Sequence, residues 1–172
     1  MISQSSRATT AAESRFRINN PNSKGRSSLV LGLGKSSMPT LSALSCMEWN
    51  GARFSCVVKG DEVYGSAAEL AIGPEDLMLQ SPNGDISRLS DELANTDVVI
   101  MFARSGESAQ AAATVGGAAF SRNLMTAGFV LDEHNDRQGV EETLSALRPF
   151  VISLVVGPDE ESFIETLSAI RA

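Results

Sequence analysis

Apolar positions along the chain come in short blocks of alternating type. Ser28 to Leu33 is a Val/Leu-rich run that empties into Gly32 and Gly34, which suits a buried parallel strand followed by a tight loop. Pro39 fits the first turn of the next segment, where Leu41, Leu44 and Met47 recur at helical spacing before Trp49 and the Asn50-Gly51 turn. Ala52 to Val58 reads as a second strand stopped by Lys59-Gly60-Asp61, and 62–71 as a weaker helical stretch ended by Gly73-Pro74. Ser81-Pro82-Asn83-Gly84 is a turn. Asp85 to Ala94, with Ile86, Leu89 and Leu93 at i, i+3 and i+7, has the pattern of an amphipathic helix.

Val98 to Phe102 shows no polar alternation, so this third strand should be covered on both faces. The loop Arg104-Ser105-Gly106 follows it. Glu107 to Arg122 reads as an Ala-rich helix, Met125 to Leu131 as a strand, Val140 to Leu147 as a helix, Phe150 to Val156 as the fifth strand and Glu160 to Ile170 as the closing helix. Strand and helix alternating through short loops predict an α/β fold: a three-layer α/β/α sandwich with a five-stranded, mainly parallel, Rossmann-like sheet and right-handed crossovers.

Composition sharpens this picture. The 172 residues suffice for one domain with one full core. Residues 1 to 28 hold five basic side chains against Glu13 alone, so a stretch of +4 precedes a remainder of −11 in a chain of net charge −7. The first stretch is rich in Ser, Thr, Ala and Asn and lacks an apolar face, and we read 1–27 as a flexible basic tail and 28–172 as a single α/β domain. Its acid-poor composition also suits an organellar transit peptide. The acidic balance disfavours nucleic acid, and no apolar run approaches the 18 residues of a membrane span. Two cysteines, Cys46 and Cys56, read as inert core residues, and with His134 alone they form neither a disulfide framework nor a zinc cluster. A cytoplasmic homo-oligomer without metal or cofactor is the expectation. His134 reads as a surface loop residue, and Glu141-Glu142 and Asp159-Glu160-Glu161 as acids at helix starts.

In an open parallel sheet, ligands bind at the carboxyl ends of the strands, where loops and helix N-termini present N–H groups. Gly32-Leu33-Gly34-Lys35-Ser36-Ser37 invites a phosphate-loop reading, but that motif requires glycine where Leu29 stands. The dinucleotide pattern fails as well, because Ser37 holds the place of the third glycine and Asp61 comes late for a ribose-binding acid. A tight turn is the plainer reading of this loop. Ser105-Gly106-Glu107-Ser108 is more specific: its hydroxyls can cap the following helix or hold a phosphate beside a glycine that admits close approach.

Gly32-x-Gly34-x-Ser36 after the first strand, together with Phe102-Ala103-Arg104-Ser105-Gly106-Glu107-Ser108 after a later one, resembles the sugar isomerase (SIS) family of phosphosugar-binding domains over roughly residues 28 to 171. The resemblance implies that Gly32, Gly34, Ser36, Ser37, Ser105, Gly106, Glu107 and Ser108 surround the phosphate of a sugar phosphate. It also implies that Glu165, on the closing helix, is the candidate base for moving a proton through an enediol. A second resemblance is to the GTPase domain of the tubulin/FtsZ family, carried by Gly32-Leu33-Gly34, Asp97 to Met101, Ala111-Ala112-Ala113 and Leu124 to Val130. Of its glycine-rich loop only Gly106 is present, within 103–110. That resemblance implies a degenerate nucleotide-binding or assembly protein, with GTP as ligand and no efficient hydrolysis.

Overall fold

The computed structural model describes residues 26–58, 77–170 and 172. Residues 1–25 and the 62–71 helix expected from sequence lie outside the described residues. Ser27, assigned to the tail by composition, is tied to the sheet: its N–H donates to Asp97 Oδ2 at 2.9 Å and its carbonyl accepts from the N–H of Asp97 at 2.8 Å.

Seven strands, β1 (Ser28–Gly32), β2 (Ala52–Val58), β3 (Met78–Gln80), β4 (Ile86–Arg88), β5 (Val98–Arg104), β6 (Met125–Leu131) and β7 (Ser153–Gly157), form one sheet in the order β4-β3-β2-β1-β5-β6-β7. Five of them are parallel, with β1 between β2 and β5. Numbered among themselves, these five run 2-1-3-4-5, one of the two common doubly wound orders. The sheet is therefore mixed and seven-stranded, not five-stranded. The additional pair is an antiparallel hairpin, β3–β4, across the expected Ser81–Gly84 turn. Three-residue strands carry too little periodicity to announce themselves. Ile86, taken for the start of a helical face, stands instead in β4 and is 41% exposed.

Among the described residues there are five α-helices: α1 (Met38–Ser45), α2 (Leu89–Leu93), α3 (Ala111–Ser121) and α4 (Arg137–Leu147) lie between strands, and α5 (Glu160–Ala169) follows the last one. Alternation along the central strands sorts the core onto two faces. Leu29, Leu31, Val99, Met101 and Ala103 pack with Leu89 and Leu93 of α2, Ala112, Val115 and Ala119 of α3, and Leu147 of α4. Val30, Ile100, Phe102, Phe129 and Leu131 pack with Leu41 and Leu44 of α1 and Phe163 and Leu167 of α5. Phe163 stacks 4.5 Å from Phe102 and packs at a tilt 4.5 Å from Phe129, which seats α5 on the sheet. Strands covered on both sides need apolar residues at every position, which explains the unbroken Val98–Phe102 run.

Several boundaries differ from expectation. The Ala-rich helix begins at Ala111, so residues 107–110 stay in the loop above the sheet. Helix α4 begins at Arg137, which puts Glu141 and Glu142 mid-helix and not at the dipole-favoured first turn. Pro149 lies in a 3-10 turn, Arg148–Phe150, that delays β7 to Ser153. Helix α1 ends before Cys46, so Cys46 is exposed and not in the core, and Met47 is 47% exposed. Among the described residues no helix is long and apolar enough to cross a membrane.

Candidate functional site

Between β1 and β5 the chain reverses its direction of winding, and the crevice above such a switch point is where doubly wound sheets take their ligands. Two loops close it. The first leaves β1 at buried Gly32 and passes Gly34 in extended conformation (φ −147°) into a 3-10 turn, Lys35–Ser37, that runs on into α1. The second leaves β5 at Arg104 and turns at Gly106, whose φ of +75° is a left-handed conformation that favours glycine. Leu33 N–H donates to the Phe102 carbonyl at 2.9 Å, so the two strands stay paired up to the crevice.

Glu107 lies across this crevice. Its Oε1 accepts from the Ser36 N–H at 3.1 Å and the Ser36 hydroxyl at 2.5 Å; its Oε2 accepts from the Ser37 hydroxyl at 2.8 Å and the Arg104 N–H at 3.0 Å. Gly34 makes this approach possible, because a Cβ there would meet Glu107 Cδ at 2.6 Å and Cγ at 2.8 Å. An oxyanion thus sits at the start of α1, where backbone donors and the helix dipole favour negative charge.

Beside the carboxylate lies a concavity of about 300 Å³ lined by Ser36, Arg104, Ser105, Gly106, Glu107, Leu131, Glu133 and His134. The Ser105 N–H donates to the Leu131 carbonyl at 2.8 Å, and its hydroxyl reaches Asp132 Oδ1 at a long 3.3 Å. Gly106 N–H donates to Thr143 Oγ1 at 3.2 Å. Arg104 turns across the carboxyl end of the sheet: it pairs with Glu133, donates to Thr40 Oγ1 at 2.8 Å and lies 3.6 Å from Glu160 Oε1. Thr40 in turn donates to Glu160 Oε1 at 2.6 Å. The Arg104 Nε–H is buried without a hydrogen-bond partner.

The structure therefore gathers Gly34, Ser36, Ser37, Ser105, Gly106 and Glu107 at one place, with exposed Ser108 on the same loop. Neither serine of this second loop caps α3, whose N-cap is Gln110 and makes no side-chain cap bond. Gly32 is buried beneath the crevice. Glu165 is exposed on α5 and does not line the concavity. His134 is an exposed loop residue that does line it. Arg104, Thr40, Glu133 and Glu160 were not singled out as site residues from the sequence. The available signal was position: Arg104 ends the central strand, Glu133 follows β6, and Glu160 opens α5, all at the carboxyl edge. Asp159 does act as expected of an acid at a helix start: the Ser162 hydroxyl and N–H both donate to it, which holds its carboxyl below the ordinary range.

Beneath the crevice, Cys56 on β2 is buried, and burial, reinforced by the Glu107 charge, pushes its thiol up to about 12. It is a protonated core side chain and no nucleophile. A separate groove of about 370 Å³, lined by Phe120, Leu124, Phe150 and Ile152 among others, lies at the opposite, amino end of the strands and offers little polar chemistry. Comparison with the models of known families and with curated proteins returned no match to this chain.

Proposed function

We propose that this chain is a phosphosugar-binding module of the SIS type, an α/β/α domain that takes a small sugar phosphate in the concavity above β1 and β5. The observation that carries the reading is the coordination of Glu107. Loops 70 residues apart converge at the switch point and hold an oxyanion through four donors, so this crevice is built from groups that recognise oxyanions. The adjoining space of about 300 Å³ is at the small end of ligand pockets, the scale of one monosaccharide phosphate. Ser105, on a weak bond to Asp132, and exposed Ser108 supply the hydroxyls for the phosphate, and Arg104 supplies the positive charge among Asp132, Glu133 and Glu160. The reading is one of binding: Glu165 lies outside the concavity, and proton transfer is not assigned to it.

Calorimetric titration with glucose 6-phosphate, ribose 5-phosphate and GTP tests the proposal. A sugar phosphate should bind, and replacing both Ser105 and Ser108 by alanine should weaken it roughly 10-fold or more, since each hydroxyl donated to a charged acceptor contributes about 1 kcal/mol or somewhat more. Binding of GTP with no sugar phosphate would replace this reading with the degenerate tubulin/FtsZ-like one. A double variant that binds as the wild type does would remove the two serines from the site.

A further inference from the structure

Glu107 stands in the crevice that would receive a phosphate, and a carboxylate there repels a second anion, so its presence calls for another role. Three observations say what that is. The carboxylate is saturated: each oxygen accepts two hydrogen bonds, one oxygen from Ser36 alone and the other from Ser37 and Arg104. The concavity persists with Glu107 in place, as one wall of it. The loop after β6 already brings acid to the same place: Glu133 lines the concavity and Asp132 accepts from the Ser105 hydroxyl.

We propose that Glu107 is a positioning residue: it clamps the Gly34–Ser37 loop to the end of β5 and so holds the two walls of the binding concavity at their working separation. This rests on the sugar-phosphate reading of the site. The Leu33–Phe102 backbone bond joins these loops, and three further hydrogen bonds, from the Ser36 N–H and the Ser36 and Ser37 hydroxyls, cross between them to the Glu107 carboxylate. Ser37 is buried and its hydroxyl is committed to the clamp, so it is a structural partner of Glu107 and does not contact ligand. Glutamine cannot substitute. An amide keeps one acceptor oxygen and turns the other position into a donor that, in either orientation, faces a fixed backbone N–H, of Ser36 or of Arg104.

The test combines Glu107→Gln, Ser37→Ala and the double variant, each as the full chain. Backbone amide exchange is measured without ligand, and titration is done with glucose 6-phosphate and ribose 5-phosphate. Glu107→Gln should speed exchange at the Ser36 and Arg104 amides at least 10-fold and weaken the sugar phosphate by about 10-fold or more. Ser37→Ala should weaken it less, and the double variant no further than Glu107→Gln alone, because both act through one clamp. If Glu107→Gln does not fold, Glu107→Asp, which keeps the charge but is one methylene short, should show the same two changes at smaller amplitude. An unchanged affinity with faster exchange makes the clamp merely structural and overturns the proposal. A tighter affinity overturns it too, since Glu107 would then be occupying the ligand's own place. A wild type with protected Ser36 and Arg104 amides that binds neither sugar phosphate refutes the function proposed for the site, and the positioning role falls with it.

Discussion

Gly34→Ala isolates the contact on which the site depends. Gly34 has an extended backbone that alanine adopts without strain, so the only consequence is the added methyl. That methyl would sit 2.6 Å from Glu107 Cδ and 2.8 Å from Cγ. The far end of a glutamate can move at little steric cost, so the penalty is the loss of the four hydrogen bonds, not the overlap itself. Water can replace the two made by exposed Ser36. The Ser37 hydroxyl, fully buried, and the part-buried Arg104 N–H are left without an acceptor. Each orphaned donor costs about 1–2 kcal/mol, so the variant should lose about 2–4 kcal/mol. For a chain of this length that corresponds to a fall of roughly 5–12 °C in Tm. Thermal and urea melts followed by circular dichroism measure it directly. A Gly34→Ala protein melting within about 1 °C of the wild type would mean that the Glu107 clamp carries no free energy, and the argument from it would fail.

Two further consequences concern the core. Val99 is fully buried on β5 between β1 and β6, so Val99→Asp buries an unpaired charge at a cost of about 4 kcal/mol or more and should abolish soluble expression; a soluble variant that melts cooperatively would overturn the placement of the central strand. Cys56 has its folded-state pKa raised to about 12 against an ordinary value of 9.0, so the folded state holds a proton that the unfolded chain releases; stability should be unaffected by this thiol below pH 9 and fall as pH rises toward 12, and Cys56→Ser or Cys56→Ala should lessen that fall. In the folded protein at pH 8 a thiol reagent should modify exposed Cys46 and spare Cys56, and rapid labelling of both would contradict the burial.

How far such features could be read in advance depended on whether the determining contact is local. Val98–Phe102 announced a doubly covered strand because its surroundings act on five consecutive residues at once. The hairpin of β3 and β4 did not, because three-residue strands are stabilised by their pairing to β2 and to each other, information that lies in the partners. Ile86 therefore fell into a helical spacing that the fold does not use.

The site divides along the same line. Glycines and serines after β1 and β5 are legible because a parallel sheet brings every strand's carboxyl end to one edge, so two loops distant in sequence must meet there. Which atoms meet is another matter. Glu107 read as the first residue of an Ala-rich helix and, by resemblance, as part of a phosphate loop, yet its charge is spent on the start of a different helix, α1, 70 residues away. Arg104 read as a loop residue and is instead the end of a strand whose side chain joins α1, the end of β6 and the start of α5. Cross-loop pairs of this kind leave no periodicity in either partner. Their one trace is an absence, the missing side chain at Gly34, which local spacing reads as a tight turn or a phosphate loop and which the fold explains as room for another residue's carboxylate.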